Sequence, residues 1–377
     1  MVHTLAEPPL FSRLGSARSV LVSGAGGGFD VYAGIPLAVA LRGQGKDVHF
    51  ANLAFSDLNR LDLDDWAAPG VARVHPGSAG DDAYFPERTL ARWLGTQGWP
   101  AVVHAFPRVG ARPLRAAYED LAGLLGVDAV VLVDGGTDIL LRGDESGLGT
   151  PEEDMASLAA VAALEGPDRV VVSLGFGIDA FHGVCHAHVL ENLAALDRAG
   201  GYLGALSIPS ASPEAAAYLD AVADANRATP DRPSIVQGQI AAALRGEFGD
   251  VHSTTRTAGS ELFVNPLMGV YFSADLAILA AEVGYLAELA TTDTALEVAM
   301  VIEAHRDRVG RGGPSRTEAQ STRTGSSSRP YTMDTWRNER SCSGTASRRF
   351  GNRLTSAGYA VRSSMRASSA PMQRWMP

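Results

Sequence analysis

Two aspartates, Asp134 and Asp138, bracket a Gly135-Gly136-Thr137 turn directly after the most apolar run in the chain, residues 129–133. Carboxylates spaced this way can hold Mg²⁺ through oxygen and water, leaving substrate phosphates to complete its shell. Both are therefore candidate catalytic residues and candidate metal ligands, and Gly136 between them is a candidate cofactor contact. The plainer alternative is that Asp134 caps the turn and Asp138 is solvated. The same loop continues through Arg142-Gly143-Asp144-Glu145, where Arg142 can grip a carboxylate or phosphate by two parallel hydrogen bonds, or pair with Asp144 or Glu145 instead. A second polar set, Asp179, His182, Cys185, His186 and His188, follows the next strand. His182 beside Asp179 is the candidate general acid or base, because imidazole titrates near neutral pH. On a helix His182 and His186 would share a face as zinc ligands do, yet Gly183 weakens that helix and the glutamate a zinc protease needs is missing. Capping and core packing are the remaining reading of these histidines.

A third chemistry-bearing stretch lies near the start of the chain. Apolar Val20, Leu21 and Val22 read as a buried strand running into Gly24-Ala25-Gly26-Gly27-Gly28, with a helix over residues 31–42 and a second strand over residues 48–52. Gly24, Gly26, Gly27 and Gly28 let the backbone approach a ligand closely, and amides at a helix start favour an anion. A phosphate or carboxylate is the expected guest, with Asp30 either a favourable charge at the helix start or a partner for a ligand hydroxyl. The dinucleotide fingerprint is incomplete, since Phe29 holds the third glycine place and Asn52 stands where an acidic ribose ligand belongs. ATP or another nucleotide with Mg²⁺ is therefore expected in preference to NAD in its usual pose. No Gly-x-Ser-x-Gly elbow is present, which argues against an α/β-hydrolase serine.

The elements that must position these loops alternate strand and helix. Strands are expected at residues 101–105, 129–133, 170–174 and 202–208, with helices at 85–94, 112–125, after 150, up to 199, at 212–228 and at 235–245. Thr150 can cap the helix that opens with Pro151-Glu152-Glu153. A last strand pair is expected at 262–264 and 270–272, followed by helices at 276–290 and 295–304. The pattern predicts a Rossmann-like, doubly wound, mostly parallel sheet with helices on both faces. Ligands bind such sheets beyond the carboxyl ends of the strands, so the three loops are expected to converge on one cleft.

Composition narrows the partners. The 377 residues are 46% hydrophobic, enough for one large core or two modest ones. No apolar run approaches the roughly 20 residues of a membrane span, and the opening residues lack a secretory pattern, so a cytoplasmic protein without a membrane partner is the default. Cys185 and Cys342 are the only cysteines and Lys46 the only lysine, which excludes a disulfide framework, a P-loop and Schiff-base chemistry. Residues 306–377 hold 14 arginines against four acids, a net of +10, so residues 1–305 carry −20. A body this acidic is not expected to bind nucleic acid. The domain reading is one α/β domain over residues 1–305 and an Arg/Ser-rich disordered tail over 306–377.

Several stretches together resemble the family catalogued as domain of unknown function 1152: residues 24–30, residues 133–138 with Arg142-Gly143-Asp144-Glu145, residues 149–154, Gly175-Phe176-Gly177-Ile178-Asp179 with His182-Gly183, and Asn265-Pro266-Leu267-Met268. The resemblance spans about residues 16–305 and implies a Rossmann-like fold without an established reaction. Gly24-Ala25-Gly26 is also similar to the opening of sirtuin-type NAD binders, whose zinc cysteines this chain lacks. The expected function is a small-molecule enzyme acting on a phosphorylated or carboxylate-bearing substrate, by group transfer or ATP/Mg-dependent activation. The alternatives are a metal-dependent hydrolase built on Asp134, Asp138, Asp179 and His182, and a non-catalytic ligand sensor.

Overall fold

In chain order the strands are β1 (Ser19–Gly24), β2 (Asp47–Leu53), β3 (Trp66–Ala68), β4 (Val71–Val74), β5 (Val103–Phe106), β6 (Ala129–Asp134), β7 (Asp168–Ser173), β8 (Tyr202–Ser207), β9 (Gly249–Asp250), β10 (Phe263–Val264) and β11 (Val270–Asp275). The helices are α1 (Pro9–Arg13), α2 (Ile35–Gly43), α3 (Pro86–Thr96), α4 (Ala111–Leu125), α5 (Pro151–Ala162), α6 (His186–Arg198), α7 (Pro213–Ala228), α8 (Ile235–Leu244), α9 (Leu276–Glu282), α10 (Leu286–Leu289) and α11 (Ala295–Arg311). The computed structural model describes residues 6–257, 259 and 262–311. All of them belong to the first of the two units into which the chain divides, Met1–Pro330 and Tyr331–Pro377. Helix α11 runs past the expected boundary at residue 305, and the predicted tail beyond residue 311 lies outside the described residues.

Nine strands form one sheet in the order β3-β4-β5-β2-β1-β6-β7-β11-β8. Strands β5, β2, β1, β6 and β7 are mutually parallel, whereas β4 and β11 run against their neighbours. Side chains alternate across the pleat, so one strand feeds two cores. Val130 and Leu132 of β6 face a layer built by α4, α5, α6, α9 and α11, whereas Val131 and Val133 face α2, α3, α7 and α8. That burial on both faces is why β1, β6 and β7 read as unbroken apolar runs.

From β1 the chain builds outward through β2 and β5, then crosses to β6 on the other side of β1. The crevice between β1 and β6 is thus a topological switch point, where doubly wound sheets place ligands. Gly24 pairs with Val133, and Asp134 with Ser173, so the carboxyl ends of β1, β6 and β7 are level.

Two sequence expectations are corrected. Residues 262–264 and 270–272 do not pair with each other: β10 pairs with β9 in a separate two-stranded ribbon, and β11 enters the main sheet between β7 and β8. β11 is buried over nearly its whole length and fits an interior place. The helix expected over residues 276–290 breaks between α9 and α10, because Val283 is extended and the Gly284 amide donates to Arg142 O instead of to a helical carbonyl. No helix among the described residues is long and apolar enough to cross a membrane.

Candidate functional site

Beyond β1 the glycine turn is held by the protein's own acceptors. Ala25 N donates to Val133 O at 2.8 Å, Gly26 N to Asp30 Oδ2 at 2.7 Å and Gly28 N to Leu53 O at 3.1 Å. The segment after it is a 3-10 turn, Asp30–Gly34, and the α-helix begins only at Ile35. A phosphate approaching Gly24, Gly26, Gly27 or Gly28 therefore finds three of the nearby amides engaged. What the turn does present is a carboxylate: a Cβ on Gly26 would lie 2.4 Å from Asp30 Oδ2 and 3.0 Å from both Asp154 oxygens. Only a residue without a side chain allows acids that close.

The other carboxylates arrive from the two neighbouring strand ends. Asp134 is the last residue of β6, and Asp138 opens the 3-10 turn after it. Asp154 sits in the first turn of α5, and Asp179 lies in the turn after β7. All four are buried. Oxygens of Asp30, Asp134 and Asp154 lie within 4.8 Å of one another, the spacing of ligands around one metal ion. Asp138 Oδ2 accepts from Thr150 N at 2.9 Å, so Thr150 serves the site through its amide and makes no side-chain cap on α5. Asp179 Oδ2 accepts from Thr137 N at 2.6 Å, and a Cβ on Gly136 would lie 2.8 Å from that same oxygen. Asp134 Oδ2 and Asp154 Oδ1 are buried and accept no hydrogen bond among the described residues.

Burial is the main force on these acids, and it opposes their ionisation. It pushes Asp30 up to about 7, with Asp138 and Glu153 adding repulsion. Asp134, Asp154 and Asp179 are driven well above the usual carboxylate range, first by burial and then by neighbouring charge, that of Asp154 and Asp138 for Asp134 and that of Asp138 and Asp30 for the other two. Asp138 is raised less, because Thr150 bonds its charged form and His182 favours that charge.

Gln237 is the neutral neighbour of this cluster. It is 1% exposed on α8, and Tyr218 Oη donates to its Oε1 at 2.7 Å. Its Nε2 has no partner among the described residues; a Cβ on Gly135 would lie 2.7 Å from it and 2.9 Å from Asp30 Oδ1. A fixed, unsatisfied donor thus faces the acids. On the far side of the turn, Asn52 Nδ2 donates to Gly28 O at 2.8 Å and to Glu87 Oε1 at 2.6 Å. Asn52 is therefore a brace beneath the turn, and burial pushes Glu87 up to about 7.

Not every predicted residue reaches the cluster. Arg142 is buried with its guanidinium toward Glu282, Nε to Oε2 at 3.6 Å, and Glu145 accepts the Arg142 and Gly143 amides. His182 closes the 3-10 turn Ile178–His182 on the surface, and Gly183 at φ 88° separates it from α6, where His186 is the first residue. The two histidines share no helical face. Asp179 turns inward to Thr137, and His182 acts at the site through its electrostatic influence on Asp138. Asp154, Gln237 and Glu87 are not among the residues that the sequence marks for chemistry. Asp154 had a usable signal, the third of three acids opening a helix, which also suits a helix dipole; Gln237 and Glu87 had none.

The strand ends that build this cluster, apart from β1, fall within one family match. The model of the family described as Protein of unknown function (DUF1152) matches residues 85–306, more than half of the chain. That span holds Asp134, Asp138, Asp154, Asp179 and Gln237; the glycine turn and Asp30 precede it, whereas the resemblance read from sequence began near residue 16. No curated protein and no solved structure matches the chain. On the strength of the family match, the chain belongs to the DUF1152 family.

Proposed function

We propose that this protein is a divalent-cation-dependent enzyme of small molecules, with Asp30, Asp134 and Asp154 holding Mg²⁺ or Mn²⁺ at the β1/β6 crevice. The observation that carries the reading is the pair of buried, unbonded oxygens, Asp134 Oδ2 and Asp154 Oδ1, within a three-carboxylate set of ligand spacing. Oxygen-only donors suit a hard cation. Such an ion would offset the repulsion among the acids and bring a phosphorylated or carboxylate-bearing substrate to a floor otherwise hostile to anions. Gln237 Nε2 would donate to a substrate oxygen. His182, exposed at the edge, would carry protons. Group transfer or nucleotide-dependent activation is the favoured reaction class. The engaged amides of the glycine turn favour one second reading, hydrolysis by a cation-bound water, because that chemistry needs no phosphate cradle.

The test is thermal denaturation of the full chain, freed of metal, at pH 8 with and without Mg²⁺ or Mn²⁺. A cation at 100 times its dissociation constant should add about 2.7 kcal/mol of stability. Asp154→Asn should abolish that response while the variant remains folded. A parent protein indifferent to both cations up to 10-millimolar order would overturn the proposal.

A further inference from the structure

The acidic floor is rimmed by groups of another chemistry. Phe55 and Tyr84 stand against the outer side of the glycine turn: a Cβ on Gly27 would lie 3.3 Å from Phe55 Cζ, and one on Gly28 would lie 2.7 Å from Tyr84 Oη and 3.1 Å from Phe55 Cδ2. Phe55 is 48% exposed although it adjoins the glycine turn that carries Asp30. Tyr84 is steadied by an edge contact with Phe29, ring centres 5.7 Å apart. Each ring has an arginine beside it. The Arg108 guanidinium carbon lies 5.9 Å from the centre of Phe55, and that of Arg232 lies 6.0 Å from the centre of Tyr84. Arg108 is anchored by Glu152 and Glu153 at the start of α5, at 3.1 and 2.5 Å. Arg232 is exposed, and its guanidinium makes no hydrogen bond or ion pair among the described residues.

Floor and rim share one short turn, since the Gly26 amide that bonds Asp30 is two residues from Gly28. A ligand held by a cation at that floor would have Phe55 and Tyr84 beside it. A bare phosphate would use the arginines and leave two rings without a role. A flat base has a π face for each ring and for each guanidinium plane, while phosphates satisfy the cation and Arg232. We infer that the ligand of this site is a free nucleoside phosphate, its base against Phe55 and Tyr84 and its phosphates toward the Asp30, Asp134 and Asp154 floor. This inference rests on the cation-holding reading of that floor. The body's net charge of −20 over residues 1–305 favours a single nucleotide over a nucleic-acid strand.

The test is calorimetric titration of the full chain in Mn²⁺ at pH 8 with ADP, GDP, CDP, UDP and inorganic pyrophosphate. At least one nucleoside diphosphate should bind about tenfold or more tighter than pyrophosphate, the scale of one base stacked on an aromatic side chain. Phe55→Ala, at an exposed position, should remove most of that advantage and leave both pyrophosphate affinity and the Mn²⁺-induced thermal shift unchanged. Equal affinity for pyrophosphate and every nucleoside diphosphate, no binding of any nucleotide, or indifference to Phe55→Ala would overturn the inference. With the Mn²⁺ shift intact, those results leave the cation proposal standing; loss of the shift in the parent protein removes the cation proposal itself.

Discussion

Asp30→Asn should make the metal-free protein more stable at alkaline pH and at the same time blind to divalent cations. Asn removes the charge and keeps one oxygen to accept from the Gly26 amide, 2.7 Å away in the parent, at the expense of the weaker acceptor contact that the carboxylate makes with the Gly135 amide. The Asp30 carboxyl has an ordinary value of 3.8, and burial raises it to about 7 in the fold. Between those two values the folded chain holds a proton that the unfolded chain has lost, so stability falls as pH rises and the loss is complete above about 7. The difference corresponds to on the order of 4 kcal/mol of fold stability given up to ionise this one group. For a domain of about 300 residues that is a rise of roughly 6 °C in Tm for the variant at pH 8, fading toward none at pH 4. Calorimetric melting at pH 4, 6 and 8, each with chelator and with Mn²⁺, reads both effects. Added Mn²⁺ should stabilise the parent and shrink the variant's lead. If the variant's lead is the same at pH 4 and pH 8, or if Mn²⁺ stabilises both proteins equally, the account of buried acids awaiting a cation is wrong.

Glu87→Gln should flatten the stability profile between about 4.5 and 7, where burial leaves the parent's Glu87 carboxyl protonated in the fold and ionised in the unfolded chain. Urea titrations across that range should show the parent losing on the order of 3 kcal/mol more than the variant as pH rises. Lys46→Met should destabilise by about 1–3 kcal/mol, because Lys46 Nζ donates to Leu14 O, Gly15 O and Ala17 O at 2.8, 3.1 and 2.7 Å. Its cation response should match the parent's, since that bond set ties the end of α1 to β2 and not to the crevice; chemical denaturation with and without Mn²⁺ checks both.

The local sequence determined the alternation of elements and the places where chemistry is concentrated. Val20 to Val22, residues 129–133 and residues 170–174 are apolar enough to be strands buried on both faces, and each runs into a glycine-bearing turn. Ser212 before Pro213 marks a helix start, and its side chain indeed accepts from Ala215 N. Such features depend on residues within a few positions of one another, and the chain spells them out.

Tertiary structure decided which side chains meet. Asp154 joins the cluster because α5 packs with that face toward β1 and β6, as Ser157, one turn on, shows by bonding Ala25 O at 2.8 Å. Gln237 arrives beside Gly135, on the same side as Asp30, from a helix more than 200 positions along the chain from that aspartate, oriented by Tyr218. Arg142, in the middle of the chemistry-bearing loop, faces away because Glu282 and the Arg142 O to Gly284 N bond hold it against the α9–α10 break. Strand β11 took an interior place that no neighbouring residue specifies. Helix rotation, strand order and loop direction follow from packing summed over the whole core, and no short window of sequence contains that sum.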